Sequence, residues 1–133
     1  MTELLTAEHF KSFSECILRE LDIIKSGEEN PVPNFIRRGI YAEQIKRYFK
    51  FFDKEQLLIL DHKDLIEQPD KVLERIESFV GVRNIDWSDK DLGKKHVGAY
   101  STGIDNATEL LLKDFYKPHN EKLFNLIGKK FDW

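Results

Sequence analysis

Four consecutive aliphatic residues, Leu57-Leu58-Ile59-Leu60, lie between Gln56 and Asp61 and constrain this chain more than any other feature. The run is too short for a helix. It does not alternate with polar residues, so it fits a strand covered on both faces, the kind found inside a parallel sheet. Such a strand needs neighbours on both sides, and the other candidates, residues 85–87 and 97–100, are short and weak. The sequence therefore predicts one core strand near 57–60 whose sheet is completed by another chain or by further sequence.

Helices account for most of the rest. Thr6 is positioned to cap a first helix that puts Phe10, Phe13, Ile17, Leu21 and Ile24 on one face and stops at Gly27. Residues 27–33, Gly-Glu-Glu-Asn-Pro-Val-Pro, read as a loop. A second helix is predicted from about residue 36 to residue 52, burying a stripe of Tyr41, Ile45, Tyr48 and Phe52 and turning Arg37, Arg38, Lys46, Arg47 and Lys50 outward. A third starts at Pro69, packs through Val72, Leu73, Ile76, Phe79 and Val80, and stops at Gly81. After a polar segment, the capping-box pattern Asn106-Ala107-Thr108-Glu109 opens a fourth helix carrying Leu110, Leu111, Phe115 and Tyr116. Pro118 is expected to break it, and Asn120 to cap a short last helix with Leu123, Phe124 and Ile127 that ends at Gly128. Phe131 and Trp133 are expected to dock back on the core.

A length of 133 residues corresponds to one domain, expected over 1–133. The hydrophobic fraction of 41% includes ten Phe, enough to fill a core. The net charge of −3 argues against a general nucleic-acid coat, which needs a basic excess to neutralise phosphates. Cys16 is the single cysteine, so no internal disulfide or cysteine zinc cluster forms, and in its apolar run it reads as a small core residue. His9, His62, His96 and His119 show no metal-ligand spacing, and no metal is expected. No apolar run is long enough to span a membrane, and no secretory signal opens the sequence, so the expectation is a soluble cytoplasmic protein.

Two places could carry chemistry. Gly93-Lys94-Lys95-His96-Val97-Gly98 can bring two ammonium groups and free backbone N–H donors to one phosphate. The pair Arg37-Arg38, beside Pro33 and Asn34, could bind an anionic acceptor or a partner. Glu28/Glu29 and Asp89/Asp91 read as solvated loop residues, and no nucleophile elbow, Walker-type loop or dinucleotide fingerprint occurs.

Several segments, in order, resemble the sulfotransferases, specifically the heparan-sulfate-type carbohydrate sulfotransferases and their bacterial relatives. Gly39-Ile40-Tyr41 through Tyr48-Phe49 is similar to their G-x-Y-x-x-x-L-x-x-W helix, and Phe52-Asp53-Lys54-Glu55-Gln56-Leu57-Leu58-Ile59-Leu60 to the phrase that follows it. Asp64-Leu65-Ile66-Glu67-Gln68-Pro69 and Ile76-Glu77-Ser78-Phe79-Val80-Gly81-Val82 continue the likeness. Phe115-Tyr116-Lys117-Pro118-His119-Asn120, Leu123-Phe124, Ile127-Gly128 and Phe131-Asp132-Trp133 match its closing signature.

The resemblance implies a P-loop-like α/β fold, of which this chain is the predominantly α-helical C-terminal part with about one strand. It implies sulfuryl transfer from 3′-phosphoadenylyl sulfate to a hydroxyl or amine of a carbohydrate-like acceptor. The family's donor-cradling strand–loop–helix and its catalytic residue have no counterpart here, so no catalytic residue is assigned, and activity is expected to need a separately encoded N-terminal half or a homodimer. By the same resemblance Gly93, Lys94, Lys95, Gly98 and Ser101 would contact the donor, and Arg37, Arg38 and Tyr41 the acceptor. The alternative is a non-enzymatic helical binding module derived from that fold.

Overall fold

The computed structural model describes residues 12–27, 34–87, 90, 92–93 and 103–133. The chain divides into two compact units: Met1–Tyr48 with Ser101–Asp132, and Phe49–Tyr100 with Trp133.

In the first unit, α1 (Phe13–Ser26) is opened by Ser12, whose hydroxyl accepts the Glu15 N–H at 3.2 Å. Thr6 and Phe10 lie outside the described residues; the cap of the described helix is Ser12, which the sequence reading passed over. Gly27 ends the helix at φ 80°, a left-handed conformation that a side chain would strain. One face of α1 supplies Ile17 and Leu21 to a core shared with Ile36, against which Ile24, Leu112, Phe115 and Tyr116 pack. Cys16 is buried, as expected, and burial raises its thiol pKa, with Glu15 adding to the shift.

The predicted second helix is shorter than expected. Arg37–Gly39 form a single 3₁₀ turn, and α2 covers only Tyr41–Tyr48. Its aromatic stripe is also not the buried face. Tyr41 and Tyr48 are exposed, and it is Ala42 that is buried in the helix that packs on α5 (Asn106–Ile127). The small side chain lets the helices approach, and the two tyrosines, seven residues apart, share a different and exposed face.

The cap of α5 is Asp105, one residue before the predicted box, and its carboxylate accepts the Thr108 N–H at 2.9 Å. Glu109 pairs instead with Lys113 at 2.6 Å along the helix. Pro118 does not break the element, and a single helix runs from Asn106 to Ile127. A proline in a helix interior forfeits one hydrogen bond and strains the preceding turn. Here packed side chains on both sides, Phe115 and Tyr116 before it and Leu123 after it, hold the helix together.

In the second unit, Asp53 and Gln56 close the 3₁₀ turn Lys54–Gln56 through the Asp53 N–H and Gln56 Oε1 at 3.0 Å. Residues 57–60 follow. Leu57 is extended, at φ −121° and ψ 112°, and all four side chains are half-buried. Among the described residues there is no strand. The predicted core strand is therefore corrected to an extended segment, because a strand exists only through ladder bonds to a neighbour. Then come α3 (His62–Glu67), capped by Asp61, and α4 (Pro69–Val80), which begins at the predicted proline and ends at Gly81. Glu77 of α4 is buried and accepts the Ile85 N–H at 3.2 Å and the Trp87 indole N–H at 2.9 Å, which shapes the chain that leaves the helix. The Trp133 indole N–H donates to Asp61 at 3.1 Å.

The aromatic tail docks only in part. Phe131 is 7% exposed and meets Phe124 at 6.1 Å, whereas Trp133 is 53% exposed. Phe131→Ala should therefore cost about 3 kcal/mol in a urea titration, and Trp133→Ala less than about 1 kcal/mol.

Asp105 also accepts from the Ser14 and Thr108 hydroxyls, tying the starts of α1 and α5 together. The Ser14 hydroxyl, then the Thr108 N–H and hydroxyl, lower its carboxyl pKa to about 2. A depressed folded-state pKa gives stability that is complete above the unfolded value of about 4 and lost as pH falls towards 2. The melting-temperature gap between wild type and Asp105→Asn should be constant above pH ~5 and close between pH ~4 and ~2.

Candidate functional site

Arg37, Arg38 and Tyr41, the predicted acceptor contacts, come together at one turn of the first unit, and three helices hold its backbone. The first clamp comes from α1. Helical spacing places Glu20 on the same face as Ile17, Leu21 and Ile24, where it is 1% exposed. Its Oε2 accepts the Phe35 N–H at 2.7 Å, and its Oε1 accepts the N–H groups of Ile36 at 2.9 Å and Arg37 at 3.1 Å. These donors precede or open the 3₁₀ turn, where no intrahelical acceptor is available. Burial of a carboxylate is tolerable only with such charge-assisted partners.

The second clamp comes from α5: the Tyr116 hydroxyl donates to the Ile36 carbonyl at 2.9 Å. Its ring lies where a side chain at position 39 would be, and a Cβ on Gly39 would stand 2.6 Å from the hydroxyl and 2.8 Å from two ring carbons. The third comes from α2, where Gln44 Nε2 donates to the carbonyls of Arg38 at 3.0 Å and Ile40 at 3.3 Å.

Electrostatics follow the packing. Burial, then the negative charge of Glu20, then Tyr41 push the Tyr116 hydroxyl pKa up to about 12, so it stays a donor throughout the physiological range. His119 packs on Phe115 with ring centroids 5.0 Å apart. Burial and then Lys122 lower its pKa, with Glu43 opposing. Because Glu20 occupies the N–H groups of Phe35, Ile36 and Arg37, the turn offers an anion its side chains. Arg38 and Tyr41 are exposed and Arg37 is half-buried. A guanidinium fork matches a carboxylate or sulfate with two parallel bonds.

Of the predicted donor contacts, Gly93 belongs to the second unit and is exposed. Lys94, Lys95, Gly98 and Ser101 lie outside the described residues. Among the described residues no cluster of His, Cys, Asp or Glu has metal-binding geometry. The sequence reading missed the roles of Glu20, Gln44 and Tyr116. Glu20 had a visible signal, a charged residue inside an apolar stripe.

Comparison with known proteins gives a match to the family model described as sulfotransferase domain over residues 29–98, just over half of the chain and including the clamped turn. The membrane-associated sulfotransferase kil1 of Dictyostelium discoideum is 28% identical over 78% of this chain and 21% of its own length. Mouse heparan sulfate glucosamine 3-O-sulfotransferase 3B1 is 28% identical over 74% of this chain and 30% of its own. Human bifunctional heparan sulfate N-deacetylase/N-sulfotransferase 1 is 31% identical over 68% and 13%. The chain thus spans less than a third of the length of each of these relatives. No described helix is long and apolar enough to cross a membrane.

Gly39→Ala should lower stability by about 1–3 kcal/mol through overpacking against Tyr116. In a Tyr116→Ala background the same change should cost less than about 1 kcal/mol, a coupling readable by a double-mutant cycle in denaturant.

Proposed function

This chain belongs to the sulfotransferase domain family, and on that premise we propose that residues 1–133 serve as one C-terminal portion of a P-loop-like α/β sulfotransferase fold. The proposed reaction moves a sulfuryl group from 3′-phosphoadenylyl sulfate to a hydroxyl or amine of an anionic carbohydrate. The bond between sulfur and the bridging phosphate oxygen breaks, the acceptor oxygen or nitrogen bonds to sulfur and loses its proton, and adenosine 3′,5′-bisphosphate leaves. Two relatives named for heparan sulfate support the acceptor class.

The observation that carries this reading is the clamped turn, which lies within the family match and holds Arg37 and Arg38 on a fixed backbone beside Tyr41. These residues bind and orient the acceptor. On the donor side, Gly93, Lys94, Lys95, Gly98 and Ser101 have the chemistry a phosphate needs: two ammonium groups, a hydroxyl and glycine N–H groups. The other donor contacts come from a separately encoded N-terminal half or a second copy, which also covers the apolar segment 57–60.

Charge-assisted contacts are worth roughly 1.5–3 kcal/mol each, against about 4 kcal/mol or more for immobilising a ligand. The 133-residue chain by itself should bind adenosine 3′,5′-bisphosphate only near millimolar, more weakly in added salt, and should show no sulfotransfer alone. Calorimetry should show the binding fall when Lys94 and Lys95 are both changed to Ala. Micromolar binding that survives the double substitution would place the donor site elsewhere.

A further inference from the structure

We propose that Glu20 and Tyr116 are positioning residues for the anion acceptor: they fix the backbone of residues 35–37 so that the Arg37 and Arg38 guanidiniums are held in place before the acceptor arrives. The inference rests on the reading of the two arginines given above. It assigns roles to residues that do not themselves meet the acceptor.

Glu20 is 1% exposed, so it acts only through what it holds. It stands among Ile17, Leu21 and Ile24, where an apolar side chain would fill the same space without a buried charge. Its carboxylate is instead directed at three consecutive amides, those of Phe35, Ile36 and Arg37. Tyr116 fixes the carbonyl of the middle residue from the opposite helix, and it can reach that carbonyl because Gly39 has no side chain. Ile36 is thus held at both its N–H and its C=O by side chains from two helices, and the next two residues are the arginines. A turn fixed in this way has less freedom to lose when it binds, which raises affinity without a new contact.

The test uses the full chain and a size-defined heparin oligosaccharide as probe, with affinity measured by calorimetry at low and moderate salt and amide hydrogen exchange measured without probe. Tyr116→Phe keeps the ring and removes only the hydroxyl; Glu20→Gln removes the charge at nearly constant shape. Each should speed exchange at residues 35–37 and weaken probe binding about three- to tenfold, the scale of ordering one or two side chains on binding. The salt dependence should stay that of wild type, because both guanidiniums still engage. The Arg37→Ala/Arg38→Ala double variant should lose both the affinity and its salt dependence. If Glu20→Gln fails to fold, Tyr116→Phe carries the test.

Faster exchange with unchanged affinity in Tyr116→Phe would reduce the clamp to a fold-stabilising role and overturn the proposal, as would unchanged exchange. Loss of affinity that comes with an altered salt dependence in Tyr116→Phe would count against it too. A different pattern marks failure of the acceptor reading itself: the double arginine variant binds like wild type, or wild type does not bind. Either result overturns both.

Discussion

The carboxylate of Glu20 is the contact on which the first unit most depends. It connects α1 to a segment that would otherwise have unpartnered backbone, accepting from residues 35, 36 and 37. With those N–H groups satisfied, Ile36 can sit in the core against Ile17 and Leu21. The chain then leaves the core as a single 3₁₀ turn and enters α2 in the direction that brings Ala42 to α5. An apolar residue at position 20 would leave the buried Ile36 amide without its acceptor, at a cost of about 1–3 kcal/mol, and return the part-buried amides of Phe35 and Arg37 to solvent.

The second unit uses the same device. Glu77 is also buried on a helix, and its two oxygens are taken by the Ile85 amide and the Trp87 indole. In both units an acidic side chain does for an irregular segment what a ladder does for a strand: it satisfies backbone donors that have left regular structure. Among its described residues the second unit buries Val72 fully, with residues 57–60 half-buried and Phe51, Val80, Val82 and Ile85 exposed.

The legible parts of this fold were those set by local chemistry. Gly27, Gly81 and Gly128 end helices because each adopts a positive φ, and Pro69 starts one because the first turn needs no N–H from it. The errors arose where tertiary contacts override local preference. Pro118 reads as a breaker, but packing carries α5 through it; the tyrosine row of α2 reads as a buried stripe, but Ala42 makes the approach. Trp133 has the look of a core aromatic and spends its indole N–H on Asp61 instead. At the proposed site, charge and resemblance point to the arginines and Tyr41. Glu20 showed only as a charge inside an apolar stripe, and its partners, like the partner of Tyr116, could not be read, because a hydrogen bond across 16 or 80 positions leaves no mark in local spacing.

The fit between Gly39 and Tyr116 limits how this sequence can drift. A side chain at position 39 collides with the ring, so that change is open only to a chain that has already given up the tyrosine. Giving up the tyrosine first takes away one of the two donors to the Ile36 carbonyl, leaving only the Gly39 N–H, and removes a ring that packs on the core. Each order of substitution passes through a weakened intermediate, so descendants of this chain would tend to keep both residues or replace both, and positions 77 apart in sequence would change as one.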